Sequence, residues 1–309
     1  MAEYVFGVDV GGTTIKMGLF NADGTVLEKW EIPTRTENGG ENVLPDIANA
    51  VTEKLADKKI AKEEIVGVGI GVPGPVDGKG IVHRCVNLGW DVINVNEKLS
   101  ALTGLKVKAG NDANVAALGE MWQGGGRGFS SLVVVTLGTG VGGGIILDGQ
   151  ILTGSSGAGG EIGHIHVQDD ETDSCGCGNH GCLEQYASAT GIVRLANKEL
   201  EKGSGDTVLK PGCSAKDVWD AVKVNDPLAI RVAEQFGKYL GQCLAGIAGV
   251  VNPEAFVIGG GVSKAGPVIL PYIEKYYKPA VFHGSRDAKF VLATLGNDAG
   301  IYGAAKLVL

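Results

Sequence analysis

A repeated strand–turn–strand pattern constrains the fold of this chain more than any other feature of its sequence. The pattern occurs at 4–20, YVFGVDVGGTTIKMGLF, and again at 131–147, SLVVVTLGTGVGGGIIL. Each copy has two apolar runs joined by a turn of small residues, which is typical of two strands in a hairpin. Two copies in a chain of 309 residues predict two related α/β halves. The simplest use of two glycine-rich hairpins is to hold one extended anion between them.

The rest of the sequence alternates between strand-like and helix-like segments, which is typical of an α/β fold. Further strands are predicted from short apolar runs at 64–72, 105–110, 255–262 and 289–295. Helices are predicted from apolar periodicity and capping residues at 41–60, 111–122, 182–200, 214–222, 226–251, 267–277 and 298–309.

Composition narrows the classes of protein to which the chain can belong. Its 27 basic and 35 acidic residues give a net charge of −8, which argues against a general nucleic-acid or anionic-membrane binder. The N-terminus lacks the basic start and cleavage site of a secretory signal, and the apolar stretches at 131–147 and 240–261 are interrupted by glycine, proline or charge. We therefore expect a cytoplasmic protein with reduced thiols and without nucleic-acid or membrane partners.

Simple glycine motifs are a poor guide to the phosphate site of this chain. Segments 69–74 and 138–143 both match G-x-G-x-x-G, but neither opens a clear helix and the first contains a proline. A dinucleotide-binding site is therefore not predicted at either place. The sequence also lacks the G-x-x-x-x-G-K-[ST] pattern of a P-loop.

The first hairpin is the better candidate for binding phosphate. Its turn, 11–14, offers the bare backbone N–H groups that approach phosphate oxygens closely. Asp9 ends the preceding strand, where it is either a ligand of Mg²⁺ or water near a nucleotide, or a turn-forming residue that caps the loop. Lys16 is either a phosphate contact or a solvated charge of the hairpin.

Three cysteines, Cys175, Cys177 and Cys182, lie close together in the segment DSCGCGNHGCLEQY. In a reducing compartment a disulfide is disfavoured, which leaves a redox pair or a metal site. The pattern Cys-x-Cys-x₄-Cys supplies three soft ligands, whereas a tetrahedral zinc site needs four. The spacing is tighter than in a usual zinc finger and does not decide between zinc and a redox role.

Seven segments together resemble a known family. In chain order they are GVDVGGTTIKMGLF, GIGVPGPVD, NDANVAALGE, LGTGVGGGII, GEIGHIHV, CGCGNHGCLEQYAS and VIGGGVS. They occur in the order seen in the ROK family (repressor, open reading frame, kinase), and the resemblance covers essentially the whole chain. It is most specific in the cysteine motif with its preceding Glu-x-x-His. Within the family the chain is most similar to the bacterial glucokinases, since it opens directly on the first phosphate strand without the helix-turn-helix of the repressors.

The resemblance implies a particular fold and domain organisation. The fold class is α/β, of the actin-like (ribonuclease H-like) ATPase type, with two α/β domains and a cleft between them. The expected smaller domain comprises residues 1–110 and is completed by the C-terminal helix 298–309. The expected larger domain comprises residues 111–297 and contains a zinc-binding insertion. ATP is expected to lie across the cleft with the sugar at its base.

The resemblance also answers the question that the cysteines raise. It implies that His164 joins Cys175, Cys177 and Cys182 in a closed structural Zn²⁺ site, with His166 and His180 as less favoured donors. Zinc would tie the segments that carry Glu161 and Glu184 together, so that Glu161, His164 and Glu184 line the sugar. Without the resemblance, Glu161 is better explained as a solvated loop charge, and Glu184 as a first-turn helix carboxylate.

Asp112 is the candidate general base. It lies where the strand 105–110 meets the helix that follows, and ligands bind at such carboxyl ends of strands in α/β sheets. From the residues alone, Asp112 is equally an N-cap, and Asn111 is able to play the same part. The resemblance implies that Asp112 is the base and that Asn111, Gly74 and Asn87 belong to the sugar site.

The remaining expectations concern the phosphoryl donor and the activity. The ATP and Mg²⁺ site implied by the family comprises Asp9, Gly11, Gly12, Thr13, Thr14, Lys16, Gly138, Thr139, Gly140, Gly259, Gly260 and Gly261. The implied reaction is the ATP-dependent phosphorylation of glucose to glucose 6-phosphate. The alternatives are another hexose (N-acetylmannosamine, fructose or allose), another donor (ADP or polyphosphate), or a sugar-sensing regulator without catalysis. A homodimer or homotetramer is implied by the family alone.

Overall fold

The computed structural model describes residues 3–203 and 206–309. The strands in these residues are β1 (Tyr4–Val10), β2 (Thr14–Asn21), β3 (Val26–Pro33), β4 (Ile65–Val72), β5 (Ile81–Val82), β6 (Ile93–Asn94), β7 (Val107–Asn111), β8 (Leu132–Leu137), β9 (Val141–Leu147), β10 (Gln150–Ile151), β11 (Ala255–Gly259) and β12 (Lys289–Leu292). The two larger sheets have the orders β3-β2-β1-β4-β7 and β10-β9-β8-β11-β12, and β5 pairs with β6.

Helices separate most of these strands, as the alternating pattern of the sequence predicts. They are α1 (Glu37–Gly40), α2 (Val43–Lys58), α3 (Val95–Thr103), α4 (Asp112–Gln123), α5 (Glu184–Ala187), α6 (Ala189–Glu201), α7 (Ala215–Lys223), α8 (Pro227–Val251), α9 (Gly260–Ser263), α10 (Leu270–Ala280) and α11 (Ala299–Val308). Short 3₁₀ turns at Val86–Leu88 and Ile162–His164 carry two of the predicted site residues. In the part of the chain that the structure describes, no helix is both long enough and apolar enough for a membrane crossing.

The residues divide into two compact units. The first contains the chain up to Gly128, together with Gly144–Gly160 and Leu295–Leu309, and the second contains Phe129–Gly143 and Glu161–Thr294. The first unit therefore extends beyond residue 110, where the sequence placed a boundary. The reason is packing, because a Cβ at Gly144 would overlap that of Ala117, so that the end of β9 lies directly on α4.

The first sheet is covered on both faces, which the period of its strands explains. In β1, Phe6 and Val8 are fully buried with α2 and α3, whereas Val5 points to the other face and packs with α11. Burial of each such side chain contributes on the order of 2 kcal/mol. Asp9 lies two positions after Gly7 and therefore shares the face on which α11 packs.

Glycines allow α11 to lie directly on the strand backbone. A Cβ at Gly7 would overlap the carbonyl oxygen of Ile301, and one at Gly69 would overlap that of Ala304. The helices α4 and α11 meet in the same way, because a Cβ at Gly303 would overlap the carbonyl oxygen of Val115. These three glycines are thus required by close backbone packing rather than by a turn.

The two predicted glycine-rich hairpins are both present. Strands β1 and β2 pair antiparallel, with Asp9 opposite Lys16, and β8 and β9 are neighbours in the second sheet. Asp148 and Gly149 form the turn after β9, both with positive φ. In the second unit, β8, β11 and β12 are parallel neighbours, and β11 is buried along its whole length.

One predicted helix, 182–200, is wrong as a single element. It is divided at Ser188, whose ψ of 170° is extended and separates α5 from α6. The Ser188 side chain accepts a hydrogen bond from the backbone N–H of Gly191 and so caps α6. Its hydroxyl also contacts that of Thr190 at 2.9 Å. The local polar bonds of a cap thus outweigh the apolar periodicity that suggested one continuous helix.

Candidate functional site

Hydrogen bonds from Thr34, which follows β3, fix the first glycine loop, residues 11–14. The Thr34 hydroxyl donates to the carbonyl oxygen of Gly11 at 2.7 Å, and the Thr34 N–H donates to that of Thr13 at 3.0 Å. Within the loop, the Gly11 N–H donates to the carbonyl oxygen of Thr14 at 3.0 Å. A Cβ at Gly12 would meet nothing within 4 Å. The loop is therefore fixed at its ends and accessible at its centre, as a backbone anion site requires.

Asp9 lies beneath this loop in a partly buried position. Burial, and to a smaller extent the negative charge of Asp112, raise its pKa to about 6, while the charge of Lys16 opposes the shift. A Cβ at Gly300 would overlap the Asp9 carboxylate, so α11 begins directly against it. The Lys16 Nζ donates to the carbonyl oxygen of Asn297 at 3.0 Å, which ties the hairpin to the segment before α11.

Asn111, rather than Asp112, caps α4. The Asn111 Oδ1 accepts from the backbone N–H of Asn114 at 3.1 Å, and its Nδ2 donates to the carbonyl oxygen of Gly74 at 3.1 Å. The same Nδ2 donates to Asp112 Oδ1 at 3.0 Å, and the Ala113 N–H donates to that oxygen at 2.8 Å. The alternative in which Asp112 is the N-cap is therefore wrong, and two donors fix the orientation of its carboxylate.

Asp9 and Asp112 lie at one edge of the first sheet. Asp9 is paired with Gly71 of β4, and the next residue of β4, Val72, is paired with Asn111 of β7. These are the carboxyl ends of three neighbouring parallel strands, where ligands bind in α/β sheets. Gly71 lies between the two carboxylates, and a Cβ there would be 3.8 Å from the Asp112 Cα.

Gly74 and Asn87 lie on loops of the same unit. Gly74 has a φ of 92°, and a Cβ there would be 2.6 Å from the carbonyl oxygen of Arg84. Only glycine fits such a position without strain, and its carbonyl oxygen is the one that Asn111 contacts. Asn87 is exposed on the 3₁₀ turn Val86–Leu88.

The second glycine loop, Gly138–Gly140, is held by the start of α6. The Ala189 N–H donates to the carbonyl oxygen of Gly138 at 2.8 Å, and the Thr190 hydroxyl donates to that of Thr139 at 2.7 Å. Gly140 lies against Glu184, because a Cβ at Gly140 would be 2.5 Å from Glu184 Oε2. The loop that is expected to contact the phosphates of ATP therefore lies directly against Glu184, which is expected to contact the sugar.

The third glycine segment, Gly259–Gly261, leads from β11 into α9. Gly260 has a φ of 82°, and a Cβ there would be 2.5 Å from the carbonyl oxygen of Leu137. Next to it lies a cavity of about 470 Å³, lined by Ala189, Ala215, Trp219, Gly261, Val262 and Ala265 together with Ser214, Lys216, Asp220, Lys223 and Lys264. The size of the cavity and its apolar side chains fit a flat organic ring.

The cysteine cluster has the geometry of a tetrahedral metal site. One ligand atom from each of His164, Cys175, Cys177 and Cys182 lies within 4.8 Å of the others. The Cys177 and Cys182 sulfurs are 3.7 Å apart, and Cys175 Sγ is 3.6 Å from His164 Nδ1. Around one zinc ion, tetrahedral geometry requires roughly 3.8 Å between two sulfurs and roughly 3.6 Å between sulfur and nitrogen. The donor set therefore fits zinc.

The same cluster argues against the disulfide and redox alternatives. All three of its cysteines have free thiols. Burial raises the pKa of Cys175 to about 12 and also raises that of Cys182, whereas hydrogen bonding to the Asn179 backbone lowers that of Cys177. A reactive pair needs lowered thiol pKa values, which two of the three do not have.

The two rival histidines lie outside the cluster. His166 contacts the His180 carbonyl oxygen through Nδ1 at 3.0 Å and Asp169 Oδ1 through Nε2 at 2.9 Å. Both of its ring nitrogens are thus occupied, and neither His166 nor His180 belongs to the group of possible ligands.

Glu184 belongs to the surroundings of the cluster. Its Oε1 accepts from Cys175 Sγ at 2.9 Å and lies 4.0 Å from His164 Nδ1. Glu161 is exposed and begins the 3₁₀ turn that carries His164, where its carbonyl oxygen accepts from the His164 N–H at 3.2 Å. The segment with the Cys₃His cluster therefore brings His164 and Glu184 together, and Glu161 lies three residues before His164.

Sequence reasoning missed the residues that support this segment. Glu171 pairs with Arg194 and Tyr186, and Gln185 bonds to both sides of the cysteine pattern. No motif marks them. The only signal in the sequence is the high density of acidic residues between 169 and 173, which is common in solvated loops.

Comparison with known proteins identifies the family. The model of the ROK family matches residues 5–309. The chain belongs to the ROK family. It is 44% identical to the glucokinase of Halalkalibacterium halodurans, over 99% of this chain and 95% of that protein. The sequence-based recognition of a ROK chain similar to bacterial glucokinases is confirmed.

Solved structures of ROK proteins agree with this fold. The ROK hexokinase of Thermus thermophilus has a TM-score of 0.81 at 32% identity, covering 99% of this chain and 97% of its own. The ROK glucokinase of Streptomyces griseus, solved in complex with glucose and AMPPNP, has a TM-score of 0.71 at 34% identity, and the match covers 98% of each chain. The predicted α/β fold of the actin-like type is thereby confirmed for this ROK chain.

Proposed function

We propose that this chain transfers the terminal phosphoryl group of ATP to the 6-hydroxyl of glucose, with Asp112 as the general base. The observation that carries the proposal is the position of Asp112. It follows β7 at the carboxyl end of the sheet, while Asn111 takes over the helix cap. Two hydrogen bonds reach Asp112 Oδ1, from Asn111 and from the backbone of Ala113. A carboxylate oriented in this way is suited to accept the proton of an attacking hydroxyl.

The first unit supplies the base and one phosphate loop. Phosphoryl transfer depends mainly on positioning and on charge stabilisation, so the backbone N–H groups of Gly12 and Thr13 would hold the terminal phosphates, while the Gly11 N–H shapes the loop by donating to Thr14. Asp9, whose ionised form is disfavoured by burial, would gain a cation as a partner when Mg²⁺–ATP binds. Bound Mg²⁺ would neutralise charge on the transferred phosphoryl group. Thr14 and Lys16 belong to the same proposed site.

Two glycine segments of the second unit belong to the ATP site that the family resemblance implies. Gly138, Thr139 and Gly140 would contact its phosphate tail, since the start of α6 fixes this loop from behind. Gly259, Gly260 and Gly261 would flank the adenine, and the cavity beside Gly261 and Trp219 has room for the base.

The proposed sugar wall depends on the metal-binding segment. His164, Cys175, Cys177 and Cys182 would hold a structural Zn²⁺ ion, which fixes loops without taking part in the reaction. His164 Nδ1 faces the sulfurs, so its Nε2 would be available to a sugar hydroxyl. Glu161 and Glu184 would accept hydrogen bonds from neighbouring hydroxyls, and Gly74, Asn87 and Asn111 would complete the sugar contacts.

Location and assembly are proposed from the family. We propose a cytoplasmic protein that acts on small molecules as a homodimer or homotetramer. The reduced thiols of the cysteine cluster are compatible with that compartment. Light scattering on purified protein, with and without glucose, measures the assembly directly.

A coupled assay of glucose 6-phosphate formation tests the reaction. We expect ATP and glucose to give the highest kcat/KM in a panel with N-acetylmannosamine, fructose and allose as acceptors, and ADP and polyphosphate as donors. A higher kcat/KM for another acceptor would change the substrate but keep the mechanism. Sugar binding without phosphorylation of any acceptor would support a regulator and refute the proposal.

A further inference from the structure

A buried ion pair fastens the metal loop, residues 166–183, to α6. The Glu171 carboxylate on this loop is 4% exposed, and Arg194 of α6 is 23% exposed. Arg194 Nη2 donates to Glu171 Oε2, and Arg194 Nη1 donates to Asp173 Oδ2 at 3.0 Å. Hydrogen bonding to Arg194 is the main reason why the pKa of Glu171 falls to about 2. The pair is therefore charged at every pH at which the protein would work.

Tyr186 contacts both members of this ion pair and packs on a second tyrosine. The Tyr186 hydroxyl donates to Glu171 Oε2, so that carboxylate oxygen accepts from both Arg194 and Tyr186. The Arg194 guanidinium lies 5.0 Å from the centre of the Tyr186 ring, which is a cation–π distance. The Tyr186 ring packs on Tyr239 of α8, with centroids 4.1 Å apart. The loop is thus joined to α6 and α8 at one point.

A second set of hydrogen bonds, made mainly by Gln185 of α5, joins distant parts of the metal loop. Gln185 Oε1 accepts from the backbone N–H of Cys182 at 3.0 Å, and Gln185 Nε2 donates to the carbonyl oxygen of Asp173 at 2.9 Å. The Asp173 N–H also donates to Glu171 Oε1 at 3.0 Å. These bonds use no cysteine sulfur and no ring atom of His164.

The metal loop is therefore held in place by two separate sets of interactions. One set consists of the possible metal ligands, and the other consists of Arg194 and the residues that it contacts. We infer that Arg194 is a positioning residue, whose ion pair with Glu171 holds the metal loop against α6 whether or not the metal is bound. The metal would then enter a largely prearranged site. A consequence for Glu184 and sugar binding rests on the proposed function, whereas the fastening itself does not.

Conservative substitutions in this ion pair are expected to weaken the attachment of the metal loop to α6 strongly. Removing one partner of a buried ion pair leaves an uncompensated charge, which is more costly than losing an exposed pair. Glu171→Gln keeps the shape and one acceptor oxygen but removes the negative charge that faces Arg194. Arg194→Lys keeps the positive charge but lacks the planar fork that reaches Glu171 and Asp173 together.

A control carboxylate with similar partners is available in the same unit. Glu234 of α8 accepts from Lys275 Nζ at 2.6 Å and from the Tyr276 hydroxyl at 2.8 Å, away from the metal loop, and its side chain is 30% exposed. Glu234→Gln therefore tests whether the loss of a carboxylate that pairs with a cation and a tyrosine is enough, without the burial of Glu171, to produce the same result.

The experiment measures two properties of the purified full-length chain and its variants. The first is the rate at which zinc passes to an excess of a chromogenic chelator. The second is amide hydrogen exchange of residues 166–174 after chelator treatment, which has a readout even if little metal was bound. We expect Glu171→Gln to accelerate both by at least about tenfold, Arg194→Lys to be intermediate, and Glu234→Gln to stay within about twofold of the wild type.

The outcomes separate the inference from the proposed function. Unchanged zinc release and unchanged exchange in Glu171→Gln would overturn the inference, as would complete loss of protection in the chelator-treated wild type. If Glu171→Gln does not fold, Arg194→Lys decides in the same way. A wild-type chain that does not phosphorylate glucose would refute the proposed function and leave both readouts intact. For an active chain, we expect Glu171→Gln to raise the KM for glucose and to leave that for ATP unchanged.

Discussion

The carboxylates of Asp9 and Asp112 repel each other electrostatically, and Gly71 of β4 lies between β1, which contains Asp9, and β7, which directly precedes Asp112. Burial and the negative charge of Asp112 together raise the pKa of Asp9 to about 6, against the opposing charge of Lys16. A carboxylate in this state is ionised at neutral pH but at a cost, which a bound cation would relieve. The pair therefore links the proposed base to the proposed metal–nucleotide ligand through electrostatics.

Asp9→Asn is expected to change the pH dependence of stability. The folded-state pKa of Asp9, about 6, lies above its ordinary value of 3.8, so this group stabilises the fold below pH 3.8 and the stabilisation is lost as pH rises through 6. Asn is neutral throughout. The free energy of unfolding of the variant, relative to wild type, should therefore rise by up to roughly 3 kcal/mol between pH 4 and pH 7.5. Urea denaturation without nucleotide measures it, with the exposed substitution Asp91→Asn as control. A relative stability that does not vary with pH would contradict the shift.

Asp112→Asn is expected to fold and to bind glucose while losing turnover. The Asn side-chain oxygen is able to accept the same bonds from Asn111 and Ala113, so the start of α4 is preserved. A loss of general-base catalysis lowers kcat by about 10² to 10⁴. Steady-state kinetics and glucose titration by calorimetry measure the two effects. The pKa of Asp9 should also fall, because one cause of its elevation is removed. Turnover close to that of the wild type would exclude Asp112 as the base.

Cys177→Ala is expected to lose zinc and affinity for glucose together. The substitution removes one of four ligands and leaves an incomplete site. The KM for glucose should rise by about tenfold or more, whereas the KM for ATP should change little. Cys213→Ala, at a half-buried thiol outside the cluster, is the control. Zinc content by elemental analysis is read beside the kinetics, and normal glucose KM in zinc-free protein would disprove the link.

Gly140→Ala is expected to disturb the sugar site through Glu184. The added Cβ would lie 2.5 Å from Glu184 Oε2, so the carboxylate must move. Gly138→Ala changes the same loop, but its Cβ would approach no atom beyond its chain neighbours more closely than the carbonyl oxygen of Gly140, at 4.0 Å. We expect the KM for glucose to rise by about tenfold in Gly140→Ala only. Equal effects of both substitutions on glucose would argue that Glu184 is not displaced.

Gly303→Ala is expected to destabilise the first unit. The Cβ would overlap the backbone of Val115, which a side-chain rotation is unable to relieve, so α4 and α11 must separate. The expected loss is about 3 kcal/mol in the free energy of unfolding. Gly246→Ala in α8, where a Cβ meets nothing within 4 Å, should instead stabilise by up to about 1 kcal/mol. Thermal and urea denaturation compare the two, and equal stabilities would contradict the packing argument.

Local patterns in the sequence were sufficient for the elements that depend on local physics. The glycine turns after Val10 and Leu137 follow from chain-local rules, and the spacing of the cysteines limited the site to a few chemistries. The same rules left the cap of α4 open between Asn111 and Asp112, and the structure places it at Asn111. The choice of His164 and the role of Asp112 came from the family resemblance instead, because no spacing rule identifies them.

Contacts between segments that are far apart in the chain could not be predicted from the sequence. The pairing of Glu171 with Arg194 depends on where α6 lies, and no periodicity encodes it. The break at Ser188 depends on the competition between a polar cap and an apolar stripe. The assignment of the end of β9 to the first unit depends on the contact of Gly144 with Ala117. Each is decided by tertiary packing rather than by residue preference.

The packing of α11 on Gly7 and Gly69 has a consequence for biosynthesis. Strand β1 leaves the ribosome first among the described strands, but the helix that covers its outer face is the last of the described helices. Until α11 is made, one side of the nascent sheet remains without its cover, and the contacts that complete it have a very large sequence separation, which slows folding. During translation, this half of the molecule therefore exposes apolar surface for longer than its final structure suggests, and such surface favours aggregation.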